Sequence, residues 1–332
     1  MVDKFNLITR NLQEIIGESE LKEILSTRPL SIYWGTAPTG RPHIAYFVPI
    51  LKIADFLKAG CKVKILLADI HAMLDNLKSS FDLVKYRTEY YETVIKAMLD
   101  SIGVDSKNIE FVRGSTYQTS PEYTMDLYKI STFTTLRDSL RAGSQVVKQI
   151  DNPLLSSQIY PSMQALDEEY LKVDAQFGGV DQRKIFIYAM KFLPKIGYQK
   201  RIHLMNSMIP GLNSDKMSAS DELSKIDLVD TLAQIKKKIN KSFCAEGDVN
   251  SGILKLLKYV VYPVFEAKGQ SIEVSGRIYK TYEELEKDFS DKKIHPGDLK
   301  PAVGLMVDKI IAPIREIIND ELLKKAYPDN KK

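Results

Sequence analysis

Along this chain the apolar positions switch repeatedly between two periods. Residues 30–34 form a short apolar run closed by Gly35-Thr36-Ala37-Pro38-Thr39-Gly40, which reads as a strand ending in a turn. From 43 to 58 the spacing becomes helical, with Gly60 placed to end the helix. Residues 63–69 read as a fully buried strand, 81–102 as a long amphipathic helix stopped by Gly103, and 109–113 as the next strand. Upstream, Leu12, Ile15, Ile16, Leu21, Ile24 and Leu25 keep a helical spacing, which predicts one helix ending before Pro29. Strand, turn, helix and strand in this order are the pattern of a parallel sheet with crossover helices, so a doubly wound α/β sheet is expected.

The rhythm then changes. A polar-rich helical stretch at 126–149 is interrupted by Gly143, and a helix at 154–172 carries Tyr160, Gln164 and Asp167. A strand at 173–177 ends in Gly178-Gly179, a helix follows at 181–192, and a last strand is expected at 201–205. Beyond Asp227 the segments 228–242, 252–262, 281–289 and 299–318 read as helices, with one hairpin at 272–279. A boundary near 222–228 therefore divides the chain into 1–225 and 226–332. No internal repeat or low-complexity segment is visible.

Composition narrows the class without naming a chemistry. The 332 residues are 44% hydrophobic and 27% charged, which excludes a disordered, collagen-like or disulfide-stapled protein. No apolar run reaches the ~18 residues of a membrane span. Cys61 and Cys244 stand far apart with no ligand spacing, as two reduced thiols in a cytoplasmic protein would. The first ten residues carry Asp3, Lys4 and Arg10 and lack a signal-peptide core. A net charge of +4 permits an RNA partner without requiring one, and neither a membrane nor a DNA partner is expected.

Two short motifs carry chemistry. After the turn, Arg41-Pro42 lead into His43-Ile44-Ala45-Tyr46. A strand feeding a small-residue turn and a helix start presents free amides and a positive dipole end, which suits a phosphate; a plain helix start is the alternative. The turn is neither GxGxxG nor a P-loop. The second motif is Lys216-Met217-Ser218-Ala219-Ser220, beyond Pro210-Gly211. Its lysine can reach a polyphosphate as a point charge, and its serines can bind phosphate or cap a helix. No Ser-His-Asp or Cys-His pattern suggests a protein nucleophile.

Together these motifs resemble the HIGH and KMSKS signatures of the class I aminoacyl-tRNA synthetases. Four further stretches are similar to the eukaryotic and archaeal tyrosyl branch of that family: Tyr33-Trp34-Gly35-Thr36, residues 160–167 (YPSMQALD), residues 173–184 (VDAQFGGVDQRK) and residues 295–300 (HPGDLK). The likeness runs from Leu7 to Pro328. It implies a Rossmann-like catalytic domain with a connective insertion near 115–147, followed by an α-helical anticodon-binding domain. It also implies a homodimer contacting through that insertion. A third domain that animal relatives append is expected to be absent, since the chain stops soon after its last recognisable helix.

The resemblance also implies roles. Tyr33 and Asp167 would bond a substrate phenol, and Tyr160, Gln164 and Gln182 would surround its amino and carboxyl groups. ATP would lie along Gly35, Thr39, His43, Tyr46, Gly178, Gly179 and Asp181, with Lys216, Met217, Ser218 and Ser220 closing over its phosphates. His43, Thr39 and Lys216 would stabilise the transition state, and Mg²⁺ would arrive with ATP without a protein metal site of its own. Ala68 and Asp69 would line the same cleft, with His71 nearer its rim. Arg141, Arg183, Lys184 and Asp298 would contact tRNA(Tyr), while Lys236–Lys238 either track phosphates or form a solvated face. The implied reaction is tyrosine activation by ATP followed by transfer to tRNA. A tryptophanyl relative and a non-catalytic RNA-binding descendant are the alternatives. Two departures stand out. His43-Ile44-Ala45-Tyr46 lacks the glycine and second histidine of the class motif, and the hairpin at 272–276 (IEVSG) lacks the aromatic that the family tends to stack on a base.

Overall fold

A computed structural model describes residues 3–75, 78–147, 150–212 and 225–328. The elements run α1 (Lys4–Thr9), β1 (Leu12–Ile16), α2 (Glu18–Thr27), β2 (Ser31–Thr36), α3 (Phe47–Lys58), β3 (Lys62–Leu67), α4 (Asp69–Leu74), α5 (Phe81–Ser101) and β4 (Ile109–Arg113). Next come α6 (Pro121–Ser131), α7 (Leu136–Gly143), α8 (Leu155–Tyr170), β5 (Ala175–Gly179), α9 (Arg183–Phe192) and β6 (Ile202–Asn206). The remainder is α10 (Leu232–Lys241), α11 (Gly252–Leu256), α12 (Tyr262–Ala267), the hairpin β7 (Ile272–Val274) and β8 (Arg277–Tyr279), α13 (Tyr282–Ser290), α14 (Pro296–Ile317) and α15 (Asp320–Ala326).

Among the described residues six strands form one mixed sheet in the order β1-β6-β5-β2-β3-β4. Every neighbouring pair is parallel except β1 and β6. The central strands are buried along nearly their whole length, as parallel strands covered on both faces must be. From β2 the chain moves outward one way to β3 and β4, while β5 and β6 lie on the other side. The strand order thus reverses between β2 and β5, and open α/β sheets bind ligands above the carboxyl ends of strands at such a point.

Three expectations are corrected. Residues 12–16 are an edge strand and not the start of a helix, because Asn11 (φ +60°) and Gly17 (φ +89°) break the backbone on both sides. That strand pairs antiparallel with β6, setting Ile15 opposite Leu204. The strand expected at 63–69 stops at Leu67, and Asp69 instead opens α4, accepting the Ile70 amide at 2.9 Å. The helical stretch at 126–149 is two helices, since Thr135 and Asp138 form a capping box that starts α7 afresh.

The hydrophobic core does not divide between the sheet and the later helices. One cluster contains Ile32 and Phe177 of the sheet, Val94 and Met98 of α5, and Ile310 and Ile314 of α14. Helices α14 and α15 both pack on α5. At the other end, α1 is fastened by Lys52, whose ammonium donates to the carbonyls of Leu7 (3.0 Å) and Arg10 (2.8 Å). Burial lowers the pKa of Lys52 to about 8, against the opposing pull of Asp55.

The turn after β6 meets α11 with no room to spare. A Cβ at Gly252 would lie 2.6 Å from the Gly211 carbonyl oxygen and 2.9 Å from that of Leu212. Backbone atoms cannot swing aside as a side-chain tip can, so Gly252→Ala is expected to cost about 1–3 kcal/mol. Thermal unfolding of the variant should show this as a lowered Tm.

Candidate functional site

A cavity of about 280 Å³ opens above β2 and β5, at the reversal point of the sheet. Its walls include Tyr33, Gly35, Thr39, Tyr46, Ala68, Tyr160, Gln164, Asp167, Gly178, Gly179, Asp181 and Gln182. Twelve positions singled out in the sequence therefore converge on one space, although they span some 150 residues of chain.

Its floor is built around Asp167 of α8, which has no solvent exposure. One carboxylate oxygen, Oδ1, accepts from Tyr117 (2.7 Å), Gln118 (2.7 Å) and Tyr123 (3.1 Å). The other, Oδ2, has no hydrogen-bond partner among the described residues, and neither has the hydroxyl of Tyr33. Both line the cavity. A buried polar atom without a partner is costly, so two of them on residues that line one cavity suit a ligand that can satisfy both. Burial raises the Asp167 carboxyl to about 7 against the pull of its three donors, and burial, with Asp167 and Glu168 beside it, pushes the Tyr33 phenol well above its usual range.

His71 corrects another expectation. It is 2% exposed and sits deep in the cavity, not at the rim, with Nε2 3.8 Å from Asp167 Oδ2 and its ring edge-on to Tyr160. Burial lowers its pKa to about 3, so the imidazole is neutral at ordinary pH.

At the opposite wall the Gln164 amide donates to the Gln182 carbonyl oxygen at 3.0 Å, so these two side chains act as one polar surface. A Cβ on Gly179 would meet Asp181 Oδ1 at 2.5 Å and Met208 Sδ at 2.8 Å, so a side chain there would push both of those side chains from their positions. Around the first turn, Tyr46 reaches the cavity and its hydroxyl lies 3.3 Å from Thr36 Oγ1.

Other expected site residues fall elsewhere. His43 is buried behind the wall, edge-on to the Tyr46 ring, and its backbone bridges to Asp227. Asp69 is not part of the cavity lining; its carboxylate accepts from the Ser115 amide (2.8 Å) and hydroxyl (2.5 Å). Lys216, Met217, Ser218 and Ser220 lie outside the described residues. Arg141, Arg183, Lys184 and Asp298 are exposed and apart from the cavity. Arg183 pairs with Glu14 at 2.8 Å, and Lys184 donates to Ser144 at the end of α7.

Sequence reasoning missed Tyr117, Gln118 and Tyr123, which hold Asp167, and Gln176, whose buried Oε1 has no partner in the described residues. Position could have found the first two, since they follow the carboxyl end of β4, on the ligand side of the sheet.

Comparison with known proteins gives this cavity a family. A profile described as "tRNA synthetases class I (W and Y)" matches residues 25–312. The chain belongs to that family, on its tyrosyl branch. It is 56% identical over 99% of its length to the cytoplasmic tyrosine–tRNA ligase of Xenopus laevis, of which it spans 64%. It is 54% identical to the probable cytoplasmic tyrosine–tRNA ligase of Encephalitozoon cuniculi, with 98% of each chain covered. Among solved structures, the tyrosyl-tRNA synthetase of Archaeoglobus fulgidus complexed with L-tyrosine superposes with a TM-score of 0.85 at 34% identity, over 96% of this chain and 99% of that one. The chain thus spans under two thirds of the vertebrate relatives it matches. For a class I synthetase fold, a cavity at the sheet's reversal point is where the bound substrates belong.

The raised pKa of Asp167 has a measurable consequence. Between about pH 4 and about pH 7 the folded chain holds a proton there that the unfolded chain, with a carboxyl near 3.8, has released. Stability from this group is therefore complete below the unfolded value and is lost as pH rises through about 7. Asp167→Asn is expected to remove this component, so the variant gains on the native chain across that window by on the order of 4 kcal/mol at most. Denaturant unfolding of both proteins from pH 4 to 8 checks the sign.

Proposed function

We propose that this chain is a tyrosine–tRNA ligase acting in the cytoplasm, as the names of its curated relatives suggest. It activates L-tyrosine with ATP and transfers the tyrosyl group to the 3′-terminal ribose of tRNA(Tyr). The observation that carries the reading is the pair of buried, unpartnered oxygens on Tyr33 and Asp167 in one cavity. A phenol satisfies both, donating to Asp167 Oδ2 and accepting from the Tyr33 hydroxyl. An indole offers only a donor and a phenyl ring offers nothing. Selection of tyrosine over phenylalanine is the established case of a site rejecting an analogue that would leave its buried polar groups unpaired.

With the phenol at the floor, Tyr160, Gln164 and Gln182 surround the amino and carboxyl groups. Asp181 takes the ATP ribose hydroxyls, with Gly178 and Gly179 letting the nucleotide approach. The phosphates lie toward the turn Gly35–Gly40, with Thr39 at the wall and His43 bracing Tyr46 from behind, and Lys216 of the second motif supplies positive charge to them. Mg²⁺ enters as part of the ATP substrate, held mainly by phosphate and water oxygens.

A tyrosine carboxylate oxygen attacks the α-phosphorus in line, the bond to pyrophosphate breaks, and tyrosyl-adenylate forms. The tRNA ribose hydroxyl then attacks the acyl carbon and AMP leaves. No protein group is bonded covalently to substrate, so positioning and charge stabilisation supply the rate.

The tRNA acceptor end would lie over Arg141, Lys184 and Arg183, and its anticodon near Asp298 in the helical portion 226–332. The chain would act as a homodimer. Met125, Tyr128, Phe133, Leu136 and Leu140 are 46–68% exposed on and between α6 and α7, an apolar face that pairing of two copies would cover.

Two experiments test this. Tyrosine-dependent ATP–pyrophosphate exchange is expected to fall by roughly 10²–10³ in Asp167→Ala while tRNA binding stays nearly unchanged. Exchange supported by tryptophan and not by tyrosine would overturn the assignment. Leu136→Glu is expected to shift the protein from dimer to monomer in light scattering coupled to size exclusion; an unchanged mass would remove α7 from the interface.

A further inference from the structure

The turn that would receive the phosphates is held from beneath by a residue that touches no substrate. Tyr91 lies in the middle of α5 and is 1% exposed. Its hydroxyl donates to the Gly40 carbonyl at 2.5 Å. The Tyr46 hydroxyl lies 3.5 Å from that of Tyr91 and 3.3 Å from Thr36 Oγ1. Two phenols thus form one link: Tyr91 ties the last residue of the turn to Tyr46, and Tyr46 ties the start of the helix beyond it to the end of β2. The aromatic rings continue the link, since Tyr46 stands edge-on to Tyr91 and to Trp34, both at 6.1 Å, and to His43 at 5.4 Å.

The direction of the Gly40 carbonyl matters for an anion. A peptide carbonyl turned into a phosphate site would repel it. In a trans peptide the carbonyl and the following N–H point in opposite directions. Tying the Gly40 oxygen to α5 therefore turns the Arg41 amide away from α5. We propose that Tyr91 is a positioning residue for the ATP-phosphate turn, through its hydrogen bond to Gly40 and its contact with Tyr46. The inference rests on the adenylation reading and adds a residue to it.

α5 is itself held against the last helix. Arg87 donates to the Ala326 carbonyl at 3.1 Å and lies 4.9 Å from the centre of the Tyr327 ring, which stands edge-on to Tyr90. The support of the turn therefore extends to α15.

Tyr91→Phe removes one oxygen and keeps the ring. In tyrosine-dependent exchange it is expected to raise KM for ATP and lower kcat, together cutting kcat/KM for ATP roughly tenfold, the ratio one buried hydrogen bond commands. The Kd for tyrosine, measured without ATP by equilibrium dialysis, should stay within about twofold. Tyr90→Phe is the matched control. Its hydroxyl is buried next door but has no partner among the described residues, so its removal should leave the ATP parameters unchanged.

Unchanged ATP parameters in Tyr91→Phe would overturn the positioning role, as would equal losses for ATP and tyrosine or the same loss in Tyr90→Phe. Should Tyr91→Phe lose its thermal transition, Thr36→Val tests the Tyr46 end of the same link, and since Thr36 also lines the cavity it is compared with Thr36→Ser, which keeps the hydroxyl that meets Tyr46. An ATP-selective loss supports the role, and no ATP effect overturns it. Absence of any exchange by the native chain would instead overturn the underlying function.

Discussion

A carboxylate with no solvent exposure must be paid for by its neighbours, and in this protein the neighbours of Asp167 are what bring the site together. Three donors from the segment after β4 and from α6 converge on one oxygen. They hold one oxygen of a side chain that lines the cavity and leave the other without a partner among the described residues. The donors need support in turn. Asp69 holds Ser115, two and three residues before Tyr117 and Gln118. A side chain at Gly114 would strike Gln118 Oε1 at 2.5 Å. Asp69, expected to line the cleft, serves it through this chain of contacts, since without Ser115 in place the donors to Asp167 would have no fixed origin.

The sheet supplies the second requirement, a floor at which loops from distant parts of the sequence end together. β2 and β5 are paired in register, Tyr33 beside Gln176 and Trp34 beside Phe177. The turn after β2 and the two glycines that end β5 therefore open on the same space. Small residues matter here for different reasons. A Cβ on Gly179 would crowd the side-chain ends of Asp181 and Met208, whereas one on Gly35 would meet nothing closer than 3.5 Å among the described residues. Gly35 lines the cavity, so a side chain there would take up space inside it without displacing any neighbour.

Much of this was legible in the sequence, and the exceptions have physical causes. The strands at 31–36 and 62–67 could be read because buried parallel strands are rich in apolar residues, and 109–113 because a helix stopped by Gly103 precedes its short apolar run. The edge strand at 12–16 could not, because its burial is partial and its apolar residues happen to continue the spacing of α2. Motif residues such as Tyr33, Gln164 and Asp181 were found because short patterns carry them. Tyr117, Gln118 and Tyr123 belong to no such pattern, and their role depends on a contact some 44 to 50 residues away. His71 was misplaced for the same reason: only packing against Tyr160 and Asp167 puts it at depth.

The continuous core has a bearing on how such a chain could be rebuilt. Sequence divides the molecule near residue 225, yet the apolar surfaces of α5, α14 and α15 are shared across that line. A chimera that exchanged the helical portion alone would graft a foreign face onto α5 and leave unmatched side chains against it. The natural unit of exchange is therefore the helical portion together with the facing side of α5, a piece discontinuous in sequence.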